Sequence, residues 1–122
     1  MKKLCAVTFV SLLLLISIAC SSIPKGTEAI DQLQKNGATR IGQNVVVVGM
    51  AETRTPLSSS SFKMFRLYQD NNNIWVALQP GTEMPPQGVN VRVTGILQQK
   101  QFSLIGKDKI YYIEANQPVK ME

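Results

Sequence analysis

The sequence contains no histidine, and its only two cysteines, Cys5 and Cys20, lie within the first twenty of its 122 residues. The absence of histidine removes the side chain that most often acts as a general base near pH 7 and most often binds transition metals. The eight acidic residues are scattered without a paired motif, and the serine run 58–61 has no partner base. The sequence therefore predicts a non-catalytic protein with no metal site and no cofactor.

The amino terminus has the composition of a secretory leader. Lys2 and Lys3 precede an apolar run of about sixteen residues, from Leu4 to Ala19. A membrane-spanning helix needs about 20 apolar residues, so this run is short for a permanent anchor. A basic start, a short apolar segment and a small residue at its end together indicate a signal peptide over residues 1–19.

The end of this leader, Ser17-Ile18-Ala19-Cys20, resembles the lipobox of bacterial lipoproteins, with Ser17 where that family usually has leucine. The resemblance implies that the leader is cut before Cys20 and that Cys20 carries the lipid. Two or three acyl chains give stable membrane attachment, because each buried methylene contributes about 0.8 kcal/mol. By the same resemblance Ser21, in place of aspartate, implies the outer membrane and a domain that faces the periplasm. An ordinary cleaved signal near Ala19 and an uncleaved anchor are the alternatives.

Cleavage at this point leaves about 103 residues, the size of a single small domain. Cys5 leaves with the leader and Cys20 is consumed, so the mature chain has no disulfide even in an oxidising compartment. Loss of the two leader lysines leaves eleven basic and eight acidic side chains, a net charge of +3. This charge is too dilute for a dedicated nucleic-acid arm. Residues 20–26 are predicted to be a tether, and residues 27–122 the folded domain.

One short helix is predicted at the start of the domain, over residues 27–37. Thr27 can cap its amino end, and Gly37 can close its carboxyl end. Because its apolar face consists only of Ile30 and Leu33, we expect an accessory helix.

The rest of the chain has the composition of β-strands. A β-branched run begins at Gln43 and contains Gly49, and a clean apolar–polar alternation runs from Val89 to Gly95. A glycine inside a strand indicates a bulge or a bend, so both glycines are predicted to mark bends. Further strands are predicted at residues 62–69, 74–78, 102–104 and 109–115. A hairpin connection is predicted at 70–73 and a proline-rich loop at 80–88. About five bent strands predict an all-β, Greek-key OB-fold barrel, with an SH3-like barrel or a small sandwich as the alternative.

Several motifs carry a more specific resemblance. They read V-x-G-x-x-x-T-R-T-P from Val47, F-R-L from Phe65, D-x-x-x-I-W-V from Asp70, P-x-G-x-x-V-R-V-T-G from Pro86 and F-S-L-I-G from Phe102. Together they resemble a group of bacterial OB-fold proteins of the nucleic-acid-binding-like type, over residues 45–119. The resemblance implies a five-stranded Greek-key barrel with a ligand face on strands two and three.

That face has predicted members. If Phe65 and Leu67 point into the barrel, as the resemblance implies, strand alternation places Met64, Arg66 and Tyr68 on the outside. By the same alternation Trp75 on the next strand points outward. An outer face that carries Met64, Arg66, Tyr68 and Trp75 could stack on bases, sugars or a partner loop. In the alternative interpretation, Trp75 and Tyr68 pack under the amino-terminal helix or under loop 80–88, since a one-residue bulge reverses the alternation.

Two functions are compatible with these observations. The first is a lipid-anchored envelope module, attached to the membrane through Cys20, that binds a periplasmic protein, peptide or glycan. The second is a single-stranded nucleic-acid binder, which the fold favours and the predicted location disfavours.

Overall fold

The computed structural model describes residues 25–58 and 62–122. The predicted leader, the predicted lipidation site Cys20 and residues 21–24 of the predicted tether lie outside the described residues. Helix α1 spans Ile30–Asn36 and runs directly into a 3-10 turn at Gly37–Thr39. Six strands follow, β1 to β6 in chain order: Asn44–Ser58, Lys63–Gln69, Asn72–Leu78, Asn90–Gln101, Lys109–Ala115 and Lys120–Met121.

The first five strands close into a ring. The order of neighbours is β1, β2, β3, β5, β4 and again β1, and every pair is antiparallel except β3 with β5. The short β6 adds to the outer side of this ring by pairing with β4. A closed ring has no long unpaired edge, unlike the two open sheets of a sandwich. The predicted all-β, five-stranded barrel is therefore confirmed.

The two predicted bend glycines lie where a strand changes partners. β1 pairs with β4 as far as Met50 and with β2 from Met50 onward, one residue after Gly49. Gly95 pairs with both Val45 of β1 and Ala115 of β5, at the point where β4 passes from one to the other. At each position a neighbouring backbone carbonyl occupies the space that a Cβ atom would need. Close backbone approach at the corners of the barrel therefore requires glycine.

The barrel interior is filled by alternate residues of all five strands. Phe65 and Leu67 of β2 and Ile74 and Val76 of β3 point inward and are almost wholly buried, as the alternation predicts. The remaining strands contribute Val45, Val47, Val91, Val93, Leu97 and Ile113 to the same cluster. This core also contains Ala51 of β1, Leu78 of β3 and Ala115 of β5.

The helix differs from its prediction at both ends. It begins at Ile30 rather than at Thr27, and the backbone N–H of Ile30 donates to Oε1 of Gln69 on β2 at 2.8 Å. Gly37 does not close the helix in a left-handed conformation, since its φ of −57° continues into the 3-10 turn. A Cβ at Gly37 would lie 2.7 Å from the ring of Tyr111, so the glycine accommodates this ring instead. Ile30 and Leu33 are fully buried in the barrel core, so the helix closes one end of the barrel.

Two connections also differ from their predictions. The segment 102–104 is a turn rather than a strand, because β4 continues to Gln101 and the chain then reverses. The β2–β3 hairpin is tighter than the four-residue connection predicted, since only Asp70 and Asn71 separate the strands. Asp70 adopts a left-handed φ of 52°, which aspartate tolerates better than most residues.

Within residues 25–58 and 62–122, no helix has the length and apolarity needed to cross a membrane.

Candidate functional site

The four residues predicted to share an outer face do so. Arg66 of β2 lies directly across from Trp75 of β3, and Tyr68 lies across from Asn73. Met64 shares the alternation of Arg66 and Tyr68, opposite Ala77. The orientation is as predicted, and the role of these residues in ligand binding stays a prediction.

Their exposure differs within the set. Met64 is fully buried and Trp75 is only 9% exposed, because both belong to a second apolar cluster on the outside of the barrel. Phe62, at the end of the β1–β2 loop, and Phe102 and Ile105, from the β4–β5 loop, pack against this cluster. Trp75 is therefore packed, as in the alternative interpretation, but neither the helix nor loop 80–88 contributes a residue to this cluster. We call the three buried residues Met64, Trp75 and Tyr112 the outer cluster.

Arg66 lies at the edge of the outer cluster, and none of the ion pairs within residues 25–58 and 62–122 includes it. Its guanidinium carbon is 4.8 Å from the centroid of the Trp75 ring, a cation–π contact. The Arg66 Nε is buried and has no hydrogen-bond partner among the described residues. Glu52, in register with Arg66 on β1, instead accepts hydrogen bonds from Nε2 of Gln87 at 2.9 Å and from the backbone N–H of Arg54 at 2.8 Å. Burial opposes ionisation of the Glu52 carboxyl group, but these hydrogen bonds, the charge of Arg54 and a further hydrogen bond from the backbone N–H of Thr55 together outweigh burial and lower its pKa.

An open groove of about 550 Å³ adjoins the outer cluster. Ala77, Tyr112 and Glu114 form its floor on β3 and β5, and Phe62 and Phe102 form its walls from the two loops. Lys100, Gln79 and Asn116 add polar groups to the lining. The groove therefore combines apolar walls with a few convergent polar groups, as small-ligand and peptide sites do.

The aromatic rings of the groove are held in edge-to-face contact. The Phe62 and Phe102 ring centroids are 5.7 Å apart, and those of Phe102 and Tyr112 are 5.0 Å apart. The ammonium group of Lys100 lies 5.5 Å from the Phe102 ring. Burial, with the nearby Glu114 carboxylate, raises the pKa of the Tyr112 phenol, so this group stays neutral and can donate a hydrogen bond. Such a wall can contact an apolar or sugar-ring surface while Lys100 and Glu114 orient a polar group.

Comparison with solved structures relates this barrel to a known architecture. OBody AM2EP06, in a structure bound to hen egg-white lysozyme, aligns with a TM-score of 0.60 at 16% identity, over 83% of this chain and 96% of that one. OBody AM1L10, also bound to hen egg-white lysozyme, gives 0.58 at 16% identity over 84% and 98%. Asparaginyl-tRNA synthetase from Pyrococcus horikoshii gives 0.50 at 10% identity, over 68% of this chain and 20% of the synthetase.

The domain is an OB fold.

These identities establish the OB fold alone. A scan against known protein families finds no match, and a search of curated proteins finds no relative. Within the described residues no group of three or more histidine, cysteine, aspartate or glutamate side chains is placed to hold a metal ion.

Sequence reasoning missed the aromatic walls of the groove in this OB barrel. Phe102 fell in a segment predicted as a strand, and Phe62 was predicted as the first residue of one. Tyr112 is adjacent to Tyr111, and only the register of β5 shows which of the two faces outward. The available signal was that Phe62 ends the β1–β2 loop and Phe102 begins the β4–β5 loop.

Proposed function

We propose that this protein is a non-catalytic binding module, held at the bacterial cell envelope by lipid on Cys20, whose groove binds a protein, peptide or glycan partner. The observation that carries the proposal is the groove itself. It opens on the outer face of the barrel over β3, β4 and β5, beside Phe62 and Phe102. These two residues belong to the β1–β2 and β4–β5 loops, which are among the segments through which OB folds bind oligonucleotides and oligosaccharides. The groove's aromatic walls and few polar groups suit a partner with both apolar and hydrogen-bonding surface.

Two further observations support the nature of the partner and the absence of catalysis. OBodies have the same fold and bind a protein in their structures with lysozyme, so a barrel of this kind can present a protein-binding face. The sequence contains no histidine, and its cysteines fall in the leader and at the predicted lipid site. The groove's own ionisable groups, Lys100 and Glu114, are suited to orienting a partner through charge and hydrogen bonds.

The envelope location is supported by the amino-terminal sequence. The basic start, the short apolar run and the lipobox-like Ser17–Cys20 segment together favour export and lipidation at Cys20. Ser21 after the cysteine favours the outer membrane, with the barrel in the periplasm.

Single-stranded nucleic acid is the second candidate, and Arg66 is the observation in its favour. The guanidinium of Arg66 lies over Trp75 and has no acidic partner in the described part of the chain. The likeness to asparaginyl-tRNA synthetase adds a weak analogy of fold. Sequence-tolerant binding of single strands, however, requires aromatic faces that are free to stack on bases. Trp75 is 9% exposed and is packed within the outer cluster, so this candidate ranks second.

The test is photo-crosslinking in living cells. Replacement of Phe102 by p-benzoylphenylalanine keeps an aromatic group in the groove wall, and the same replacement at Met121 on β6 is the matched control. Irradiation is expected to give a discrete adduct from position 102 that is absent from position 121. The mass and composition of the adduct distinguish protein, glycan and nucleic acid. Equal adducts from both positions, or none from either, would contradict the proposal.

A further inference from the structure

The β4–β5 loop, residues 102–108, holds an apolar side chain out in solvent. The backbone N–H groups of Ile105 and Gly106 both donate to the carbonyl oxygen of Phe102, at 2.9 and 3.0 Å, and close the loop into a turn. Phe102 and Ile105 pack against the outer cluster, whereas Leu104 between them is 60% exposed. The leucine therefore projects from a turn whose flanking residues, Phe102 and Ile105, are packed against the barrel.

Three lysines lie in or next to this turn in the sequence. Lys100 near the end of β4, Lys107 within the loop and Lys109 at the start of β5 are all exposed. None of the three takes part in the four ion pairs of the described residues, which join 31 with 35, 28 with 40, 52 with 54 and 92 with 122. The only acidic residue between positions 100 and 109 is Asp108, so the segment has a net charge of +2. An exposed leucine is thus flanked in sequence by three lysines that take part in none of these ion pairs, and Lys100 among them also contacts the Phe102 ring.

We propose that this loop docks on an anionic lipid bilayer. Leu104 enters the boundary between headgroups and acyl chains, and Lys107 and Lys109 lie against the anionic headgroups. An aliphatic side chain with adjacent basic residues is the combination that binds such an interface, because burial of the apolar group and attraction to the headgroups add. Each lysine near an anionic surface is worth about fivefold in binding.

The chemistry of the tip favours a bilayer over a protein partner. Lysine is depleted in protein–protein interfaces, whose buried centres are rich in aromatic residues. The single exposed aliphatic at this tip is Leu104, and the neighbouring aromatic, Phe102, is already packed against the outer cluster. The inference uses the proposed lipid at Cys20 only to explain why the barrel stays close to a bilayer. A tether of residues 20–26 reaches at most about 25 Å, so it would keep the barrel close to the headgroups.

The experiment measures where the tip lies relative to the bilayer. Mature protein carrying Leu104→Trp is mixed with vesicles of about three parts phosphatidylcholine to one part phosphatidylglycerol, a composition with the anionic surface that the lysines require. The phosphatidylcholine is brominated, so a tryptophan that reaches the acyl chains is quenched. Met121→Trp is the matched control, because Met121 is 63% exposed on β6. The native Trp75 is 9% exposed and gives the background in wild-type protein.

We expect blue-shifted emission and quenching for Leu104→Trp and neither for Met121→Trp. Quenching should weaken about fivefold when Lys107→Gln is added, and it should be lost without phosphatidylglycerol or at about 1 M salt, where the Debye length is about 3 Å. Equal quenching at both positions, or quenching that is independent of phosphatidylglycerol, would overturn the proposal. So would a Lys107-dependent oligonucleotide affinity with no quenching, which would assign the tip to nucleic acid. The mass of the mature chain reports the lipid on Cys20 separately, so docking and anchoring can fail independently.

Discussion

Substitution of the two corner glycines tests how the barrel closes. A Cβ at position 49 would collide with the carbonyl oxygen of Tyr68 and lie 3.2 Å from Cγ of Leu67. A Cβ at position 95 would collide with the carbonyl oxygen of Glu114 and lie 2.8 Å from Cα of Ala115. These neighbours are mostly backbone atoms of the adjoining strand, which cannot rotate away as the end of a side chain can. Each alanine must therefore separate two strands at a corner of the ring.

We expect Gly49→Ala and Gly95→Ala each to lower the free energy of unfolding by about 1–3 kcal/mol, the usual cost of overpacking. For a domain of this size that is a fall in Tm of about 5–20 °C. Gly106→Ala is the matched control, because no heavy atom lies within 4 Å of its Cβ position and its φ is not left-handed. That variant should melt at or slightly above the wild-type temperature, since alanine reduces the entropy of the unfolded chain. Thermal melts followed by circular dichroism decide the matter. If all three variants melt alike, close backbone approach does not explain the two corner glycines.

Three further results are expected. Trp75→Ala should destabilise the domain by about 3–5 kcal/mol in a denaturant titration, because it empties the outer cluster, whereas Tyr68→Ala on the same face should cost much less; equal losses would contradict the burial of Trp75. Cys20→Ser should abolish lipidation. Wild-type protein should partition into the detergent phase and have a mass above that of its mature polypeptide, whereas the variant should do neither. An unmodified, soluble wild-type chain would refute the anchor. Because the pKa of Glu52 is lowered in the folded protein, its carboxylate stabilises the fold at pH values above the ordinary pKa of 4.5. This stabilisation is lost as the pH falls through the pKa of the folded state. Melts at neutral and acidic pH should therefore separate wild type from Glu52→Gln only at neutral pH, and a constant difference would be inconsistent with that shift.

The alternation of the strands and the position of the bends could be read from the sequence because each depends on local chemistry. Phe65 and Leu67 are inside because side chains alternate along a strand, and that rule needs no tertiary information. Gly49 and Gly95 mark corners because only glycine allows backbones to approach so closely. The same alternation predicted Arg66 and Trp75 on one outer face, and the observed register of β2 with β3 places them opposite each other.

The cover over that face could not be read in the same way. Met64 and Trp75 are buried because two loops, far apart in sequence, bring Phe62 and Phe102 together over β3 and β5. The helix start escaped prediction for a similar reason, since the acceptor for its first N–H is the side chain of Gln69, 39 residues away. Both features depend on long-range contacts, which leave no periodic trace in the sequence.

The central claim, that the groove between the loops is where a partner binds, is tested most directly by comparing two crosslinking positions on one face. p-Benzoylphenylalanine at Phe102 reports on the groove, and the same residue at Tyr68 reports on the strand surface beside Arg66. The account predicts that the adduct forms from position 102 and is weak or absent from position 68. A stronger adduct from position 68, especially one that contains nucleic acid, would contradict it.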